Sequence, residues 1–224
     1  KPDSITKVPG FSMTATSKDA TRLTYHWTLR RGEDTASTGD KQTFSESGLD
    51  DGDYAVFVYA TDEAGNVSPT NSYSWTIDNV APDNLKIEGT PAETPFVTTV
   101  TEVDLTASAT DNVTPEEKIA YTWTFNGLKS STTALLDTTA QEGTNTAKAV
   151  VTDEAGNQSE LTRTWVVDTH CPTNLVISGT PGAGAFTNEA VFAYTATAMD
   201  DTRLTFHWKF DAGEEVKKNA TRYL

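Results

Sequence analysis

Thr61-Asp62-Glu63-Ala64-Gly65-Asn66-Val67-Ser68 returns 91 residues later as Thr152-Asp153-Glu154-Ala155-Gly156-Asn157-Gln158-Ser159. What flanks the first copy decides its reading. Upstream, Tyr54, Val56, Val58 and Ala60 alternate with Ala55, Phe57 and Tyr59. Downstream, Tyr73, Trp75 and Ile77 occupy every second position. A period of two marks β-strands with one buried face. Between them, Glu-Ala-Gly-Asn supplies residues that tolerate positive φ, so the octet predicts a hairpin turn joining two antiparallel strands.

Outward from this hairpin the duplication continues. Trp75 recurs as Trp165, Asp78 as Asp168 and Pro82 as Pro172. Asn84-Leu85 recurs as Asn174-Leu175, and Gly89-Thr90-Pro91 as Gly179-Thr180-Pro181. A third copy shows in Arg22-Leu23-Thr24-Tyr25-His26-Trp27 against Arg203-Leu204-Thr205-Phe206-His207-Trp208, with Ile119-Ala120-Tyr121-Thr122-Trp123 between them. Taking the two Asp-x-x-x-Pro stretches as boundaries gives units at 1–79, 80–169 and 170–224. The first lacks the Asn-Leu…Gly-Thr-Pro entry, and the third stops soon after its Trp strand. These ends predict an excerpt from a longer array. The third unit supplies strands A, B and C plus one more, so Phe206 and Trp208 require a cover. Either the chain continues or a neighbour adds strands; continuation is the favoured expectation.

A unit of about 90 residues has the size of an immunoglobulin-like sandwich, and the strands fit that plan. Tyr25, Trp27 and Leu29 face the core on strand C. The octet is the F–G turn. Asp51-Gly52-Asp53-Tyr54 fits the E–F corner where a Tyr hydroxyl bonds back to the backbone. Asn145 stands opposite Tyr54, so the second unit either lacks that corner or rebuilds it. The fold class is therefore all-β, as tandem immunoglobulin-like β-sandwiches with essentially no helix.

Composition narrows the function. The formal charge is -15, from 17 Lys+Arg against 32 Asp+Glu. A nucleic-acid surface needs a basic footprint, and the only basic clusters are Arg30-Arg31 and Lys217-Lys218. No apolar run approaches the roughly 18 residues that span a bilayer. Lys1-Pro2-Asp3-Ser4 carries no apolar signal core, so an export signal would lie outside this sequence. A single cysteine, Cys171, excludes an intrachain disulfide and points to a bacterial type of sandwich.

The Thr-Asp-x-Ala-Gly-Asn-x-Ser hairpin and the Asp-x-x-x-Pro linker resemble the bacterial Ig-like repeats of large surface adhesins and of multidomain secreted proteins. The resemblance spans the whole chain. It implies an extracellular, cell-surface or secreted location and a stalk role, with calcium at some junctions between repeats. The partners it implies are the other repeats of the same protein, with a host or surface glycan or protein as a further possibility.

Catalytic chemistry finds no footing, and no enzyme activity is expected. His26 and His207 share one repeat position on the outward face, and His170 lies in a linker. His170-Cys171 aligns with Val80-Ala81, so it reads as drift. No phosphate loop, HExxH or CxxC occurs. Trp27, Trp123 and Trp208, like Trp75 and Trp165, fall on core positions. Outward Phe57 and Tyr59 are the better candidates for a sugar-stacking patch, but the second unit places Lys148 and Val150 there.

The acids carry more. The incoming linker and the B–C and F–G loops share one end of such a sandwich. For the second unit that end collects Asp78 and Asp83 from the linker, Asp111 from B–C and Asp153 from F–G. For the third it collects Asp168 from the linker and Asp200 or Asp201 from B–C. Calcium takes six to eight oxygens, largely carboxylates, carbonyls and water. The metal candidates are thus Asp78, Asp83, Asp111, Asp153, Asp168 and Asp200. The competing reading is that each Asp caps its own turn.

Three functions remain open. One is a non-catalytic stalk or spacer segment of a bacterial surface adhesin or similar extracellular protein, stiffened by calcium. The second is a carbohydrate- or protein-binding module. The third is an accessory domain of a secreted polysaccharide-active enzyme.

Overall fold

The computed structural model describes residues 4–94, 96–180, 193–209 and 215–219. The chain falls into two compact units, one of residues 1–89, 104–137 and 146–163, the other of 90–103, 138–145 and 164–224. This division runs through the second repeat and not between repeats.

In the first repeat the strands are β1 (Ile5–Thr6), β2 (Gly10–Thr14), β3 (Thr24–Arg31), β4 (Asp34–Gly39), β5 (Thr43–Ser47), β6 (Gly52–Thr61) and β7 (Asn71–Ile77). One sheet has the order β1-β7-β6-β3-β4 and the other is β2-β5. Alternation sorts the side chains: Tyr25, Trp27 and Leu29 on β3 and Tyr54, Val56 and Ala60 on β6 are buried. Aromatic pairs bridge the two sheets. Phe11 of β2 meets Trp75 of β7 edge-on at 5.1 Å, and Phe44 of β5 lies 5.6 Å from Trp27. Such geometry adds to the burial of area. The Trp27 indole donates to the Lys41 carbonyl at 2.8 Å, so its one polar atom is not stranded.

The second repeat has β8 (Asp83–Thr90), β9 (Val97–Thr98), β10 (Glu102–Thr110), a 3-10 turn at Glu116–Lys118, β11 (Ala120–Phe125), β12 (Leu128–Ser131), β13 (Leu135–Thr139), β14 (Gly143–Thr152) and β15 (Gln158–Val167). The sheets are β13-β10-β8 and β12-β11-β14-β15-β9. Among the described residues there are eight strands where the immunoglobulin plan predicts seven, because the first strand is divided between the sheets. Gly89 sits at φ +119 with its missing Cβ only 2.1 Å from the Asp104 carbonyl, a packing no side chain permits. Pro91 follows and has no N–H to extend the ladder. Past this break, β9 pairs in parallel with β15, Val97 opposite Val166. In the first repeat β1 pairs with β7 in the same way. Trp123 is fully buried and its indole donates to the Ala134 carbonyl, as Trp27 does to Lys41.

The E–F corners differ as the sequences do. Tyr54 Oη donates to the Asp50 carbonyl at 2.9 Å. Asn145, fully buried, accepts from the Gln141 N–H at 3.0 Å and donates to the Gln141 and Gly143 carbonyls at 2.6 and 3.0 Å. The corner is rebuilt with an amide, not lost.

For the third repeat, β16 (Thr173–Thr180) pairs antiparallel with β17 (Ala193–Met199), and β18 (Thr205–Lys209) with β19 (Glu215–Asn219). Trp208 departs from its repeat partners: it and Phe206 are half-buried, where Trp27 and Trp123 are core residues. Among the described residues this repeat contributes these two two-stranded sheets.

Candidate metal centre

The centre starts where β7 ends. The Asp78 N–H donates to the Thr6 carbonyl at 3.0 Å, so the parallel strand β1 pins the linker at its first residue. Asp78 Oδ1 accepts the Val80 N–H two residues on at 3.1 Å, a local turn that folds the carboxylate inward. Asp78 is 0% exposed. The B–C loop supplies Asp111, whose Oδ1 accepts from the N–H groups of Val113 and Thr114 at 3.0 and 2.7 Å. The F–G hairpin supplies Asp153, whose Oδ1 accepts the Asn157 N–H and whose Oδ2 accepts Asn157 Nδ2, both at 2.8 Å.

These three elements bring one carboxylate oxygen from each aspartate within 4.8 Å of the others. Asp78 Oδ2 and Asp111 Oδ2 are buried and have no hydrogen-bond partner. Among the described residues, no Lys or Arg forms an ion pair with any of the three. Burial pushes the Asp78 carboxyl above its ordinary range, only partly countered by the Val80 N–H, and the charges of Asp111, Asp153 and Asp51 push it further. A buried carboxylate without a partner is costly, so the arrangement calls for a proton or a cation.

Asn157 does two jobs. Its Nδ2 reaches the Asp78 and Val80 carbonyls at 2.9 and 3.1 Å as well as Asp153. Ser159 Oγ donates to the Pro82 carbonyl, and Lys7 Nζ donates to the Gly156 carbonyl at 2.8 Å. The hairpin of the second repeat therefore grips both the linker and the start of the first repeat.

Two segments match family profiles, each described as a bacterial Ig-like domain: residues 1–79 and residues 99–169. The chain belongs to the bacterial Ig-like domains. Members of this family are typically non-catalytic and commonly extracellular, and no helix here is long and apolar enough to cross a membrane. No curated protein matches the chain. Among solved structures, it is similar to fibronectin(III)-like modules of Clostridium thermocellum CbhA, at 15% identity over 74% of this chain and 88% of that one, with a TM-score of 0.41. A tetra-tandem repeat from the extending region of a large adhesion protein aligns at 20% identity over 98% of this chain and 60% of that one, with a TM-score of 0.31.

The remaining acidic candidates of these Ig-like repeats are placed differently. Asp83 does not join the cluster: its exposed Oδ1 accepts from Thr110 Oγ1 at 2.7 Å and Asn84 Nδ2 at 2.8 Å. Asp168 repeats Asp78 in its backbone anchoring, with its N–H on the Thr98 carbonyl at 2.9 Å and its Oδ1 accepting the His170 N–H at 3.1 Å. It gathers with Glu142 and His170, not with an F–G acid. Asp200 Oδ1 accepts from the N–H and Oγ1 of Thr202 at 2.8 and 2.6 Å. These bonds hold its carboxyl below the ordinary range, with Asp168 and His170 adding to the effect. Sequence reasoning missed Thr6, Asn157 and Glu142. Thr6 and Thr98 act through backbone carbonyls, which any residue possesses. Asn157 is visible as a recurring turn residue, and only the fold shows its grip on the linker.

The outward aromatics of the first Ig-like repeat are already engaged. His26 stacks on Tyr59 at 4.7 Å and bonds Thr61 Oγ1 at 2.9 Å, while the Arg30 guanidinium lies 5.2 Å above Phe57. Cys171 is exposed.

Proposed function

We propose that the chain is a spacer segment of a bacterial extracellular protein, in which calcium held by Asp78, Asp111 and Asp153 stiffens the junction between the first and second repeats. The observation that carries this reading is the pair of buried, partnerless oxygens, Asp78 Oδ2 and Asp111 Oδ2, within one cluster of three carboxylates. The donor set fits the ion. Calcium prefers carboxylate, carbonyl and water oxygens, and extracellular modules bind it at roughly 10⁻⁴–10⁻³ M. Bound there, calcium supplies the positive charge that no side chain of the cluster provides.

The mechanical consequence follows from where the three acids sit. Asp78 belongs to the linker, and Asp111 and Asp153 belong to the second repeat. A shared ion ties linker to sandwich at the place already gripped by Asn157 and Ser159. Without the ion, three like charges press the linker away. The neighbouring repeats are thus the partners that matter, and the segment acts by holding length and direction. The aromatic patch offers less to a glycan, since His26 and Arg30 already cover its rings.

Calorimetric titration of calcium into the whole chain tests the reading, with Asp78→Asn alongside. Wild type should bind with submillimolar to millimolar affinity, and Asp78→Asn should lose that heat. Absence of binding at several millimolar calcium, or equal binding by the variant, would overturn it.

A further inference from the structure

We propose that Glu142, Asp168 and His170 form a separate site at the entry to the third repeat that takes a divalent transition-metal ion, zinc by preference, over calcium. The three residues offer one ligand atom each within 4.8 Å of the others. Two come from the linker and one from the E–F corner of the second repeat. His170 Nδ1 stands 3.1 Å from Glu142 Oε1. Zinc holds nitrogen and oxygen ligands at about 2.0–2.1 Å, which places two ligands of a tetrahedron roughly 3.3 Å apart. The pair, an ion pair in the absence of metal, already has the spacing two ligands need, and the Asp168 oxygen lies within 4.8 Å of both.

The comparison with the first junction isolates what is new. There, Asp51 Oδ1 accepts from the N–H and Nδ2 of Asn79 at 2.9 and 2.8 Å. Here Glu142 does the same for Thr169, accepting its N–H at 3.2 Å and its Oγ1 at 2.7 Å. Asp78 and Asp168 have the same backbone anchors, to Thr6 and Thr98. The residue two positions after each differs: Val80 in one, His170 in the other. The scaffold is common, and the second copy adds an imidazole to it. That substitution changes the class of ion. Carboxylate and carbonyl oxygens suit calcium, whereas an imidazole nitrogen suits zinc, copper or nickel. The longer Glu142 side chain, in place of Asp51, reaches the ring.

The surroundings are also suited to an ion from solution. Glu142 and His170 are exposed and Asp168 is half-buried, so entry requires no opening of the fold. Asp200 from the B–C loop of the third repeat is not one of the three ligands, and its Oδ1 is taken up by Thr202, which leaves the fourth position to water. The site carries more negative than positive charge even with the ring protonated. Cys171 follows His170 and is exposed, but the proposal does not need its thiol.

The test is zinc titration of the full chain by calorimetry, with cobalt absorption reporting coordination geometry. Cys171→Ser serves as the background, so that thiol binding is excluded. In that background one zinc should bind, an excess of calcium should not displace it, and cobalt should give the intense visible bands of a tetrahedral site. His170→Ala or Glu142→Gln should weaken zinc by at least about tenfold, the scale of loss when a metal site's supporting groups are disturbed. Asp78→Asn should leave zinc binding unchanged, so this result stands or falls apart from the calcium centre. The proposal is overturned if Cys171→Ser alone abolishes binding. It is equally overturned if His170→Ala binds zinc as wild type does, or if wild type binds none.

Discussion

Replacing Asp78 by Asn separates a metal centre from a set of turn caps, because the two readings predict opposite signs. The variant keeps Oδ1 and hence the bond from the Val80 N–H. It removes one charge from a cluster whose ligand oxygens lie within 4.8 Å of one another. At that distance, two unit charges repel by about 3.5 kcal/mol at an effective dielectric near 20. Burial and the neighbouring carboxylates push the Asp78 carboxyl above its ordinary range, the direction expected for a charge the site disfavours. Solvent screening lowers that figure, so the gain for Asn is about 1–3 kcal/mol. In chelator, Asp78→Asn should be the more stable protein. With calcium at 100 times its dissociation constant, wild type gains about 2.7 kcal/mol. For a chain of this size that corresponds to a rise in Tm of about 5–10 °C, and the variant should gain almost none. The gap between the two melting curves should therefore close or reverse on adding calcium. Thermal melts followed by circular dichroism, in chelator and then in 10 mM calcium (roughly 100 times a 10⁻⁴ M constant), read this directly. A variant that is less stable in chelator and keeps the calcium shift would refute the reasoning, since Asp78 would then be a turn residue with no metal role.

Three further outcomes are expected. Asn145→Ala should cost about 2–4 kcal/mol in urea unfolding, because it removes a fully buried amide together with its three hydrogen bonds to the part-buried backbone of Gln141 and Gly143; Tyr54→Phe, which drops one hydroxyl bond, should cost about 1 kcal/mol. The Asp62 carboxyl is held below its ordinary range, first by the Asn66 side chain and then by the Asn66 N–H. A lowered folded value means that its contribution is present above the unfolded value and is lost as pH falls through the folded one. Asn66→Ala should raise the Asp62 midpoint towards the ordinary range in an NMR titration, and an unmoved midpoint would rule out the side-chain bond as its cause.

The strands were legible because burial writes itself into every second residue. Tyr25, Trp27 and Leu29, or Tyr54, Val56 and Ala60, can be read as one face without knowing what lies opposite. Periodicity carries no record of which sheet a strand joins. That is why the division of the first strand into β8 and β9 escaped the reading: its cause is Gly89 against the Asp104 carbonyl, a contact between residues 15 apart in sequence. Trp208 shows the converse limit. Its position in the alternation is that of Trp27, yet it is half-buried, so the alternation fixes the direction of a side chain and not the depth of its burial.

The centre was legible for a different reason, and only in part. Topology puts the linker and the B–C and F–G loops at one end of a sandwich, so acids recurring at those three places can be expected to meet. Asp78, Asp111 and Asp153 do. Asp83 fails although it comes from the same linker, because Thr110 and Asn84 offer it hydroxyl and amide donors at the surface, and an exposed carboxylate with partners has no reason to turn inward. Asp78 is the opposite case, held at its own N–H by Thr6 and left with one buried oxygen unsatisfied. The difference between a ligand and a cap therefore lies less in the aspartate than in which donors remain to it once the backbone is fixed. Asp168, anchored as Asp78 is, faces Glu142 and His170 in place of two further aspartates, so a shared repeat position and a shared backbone anchor do not give the two acids the same neighbours.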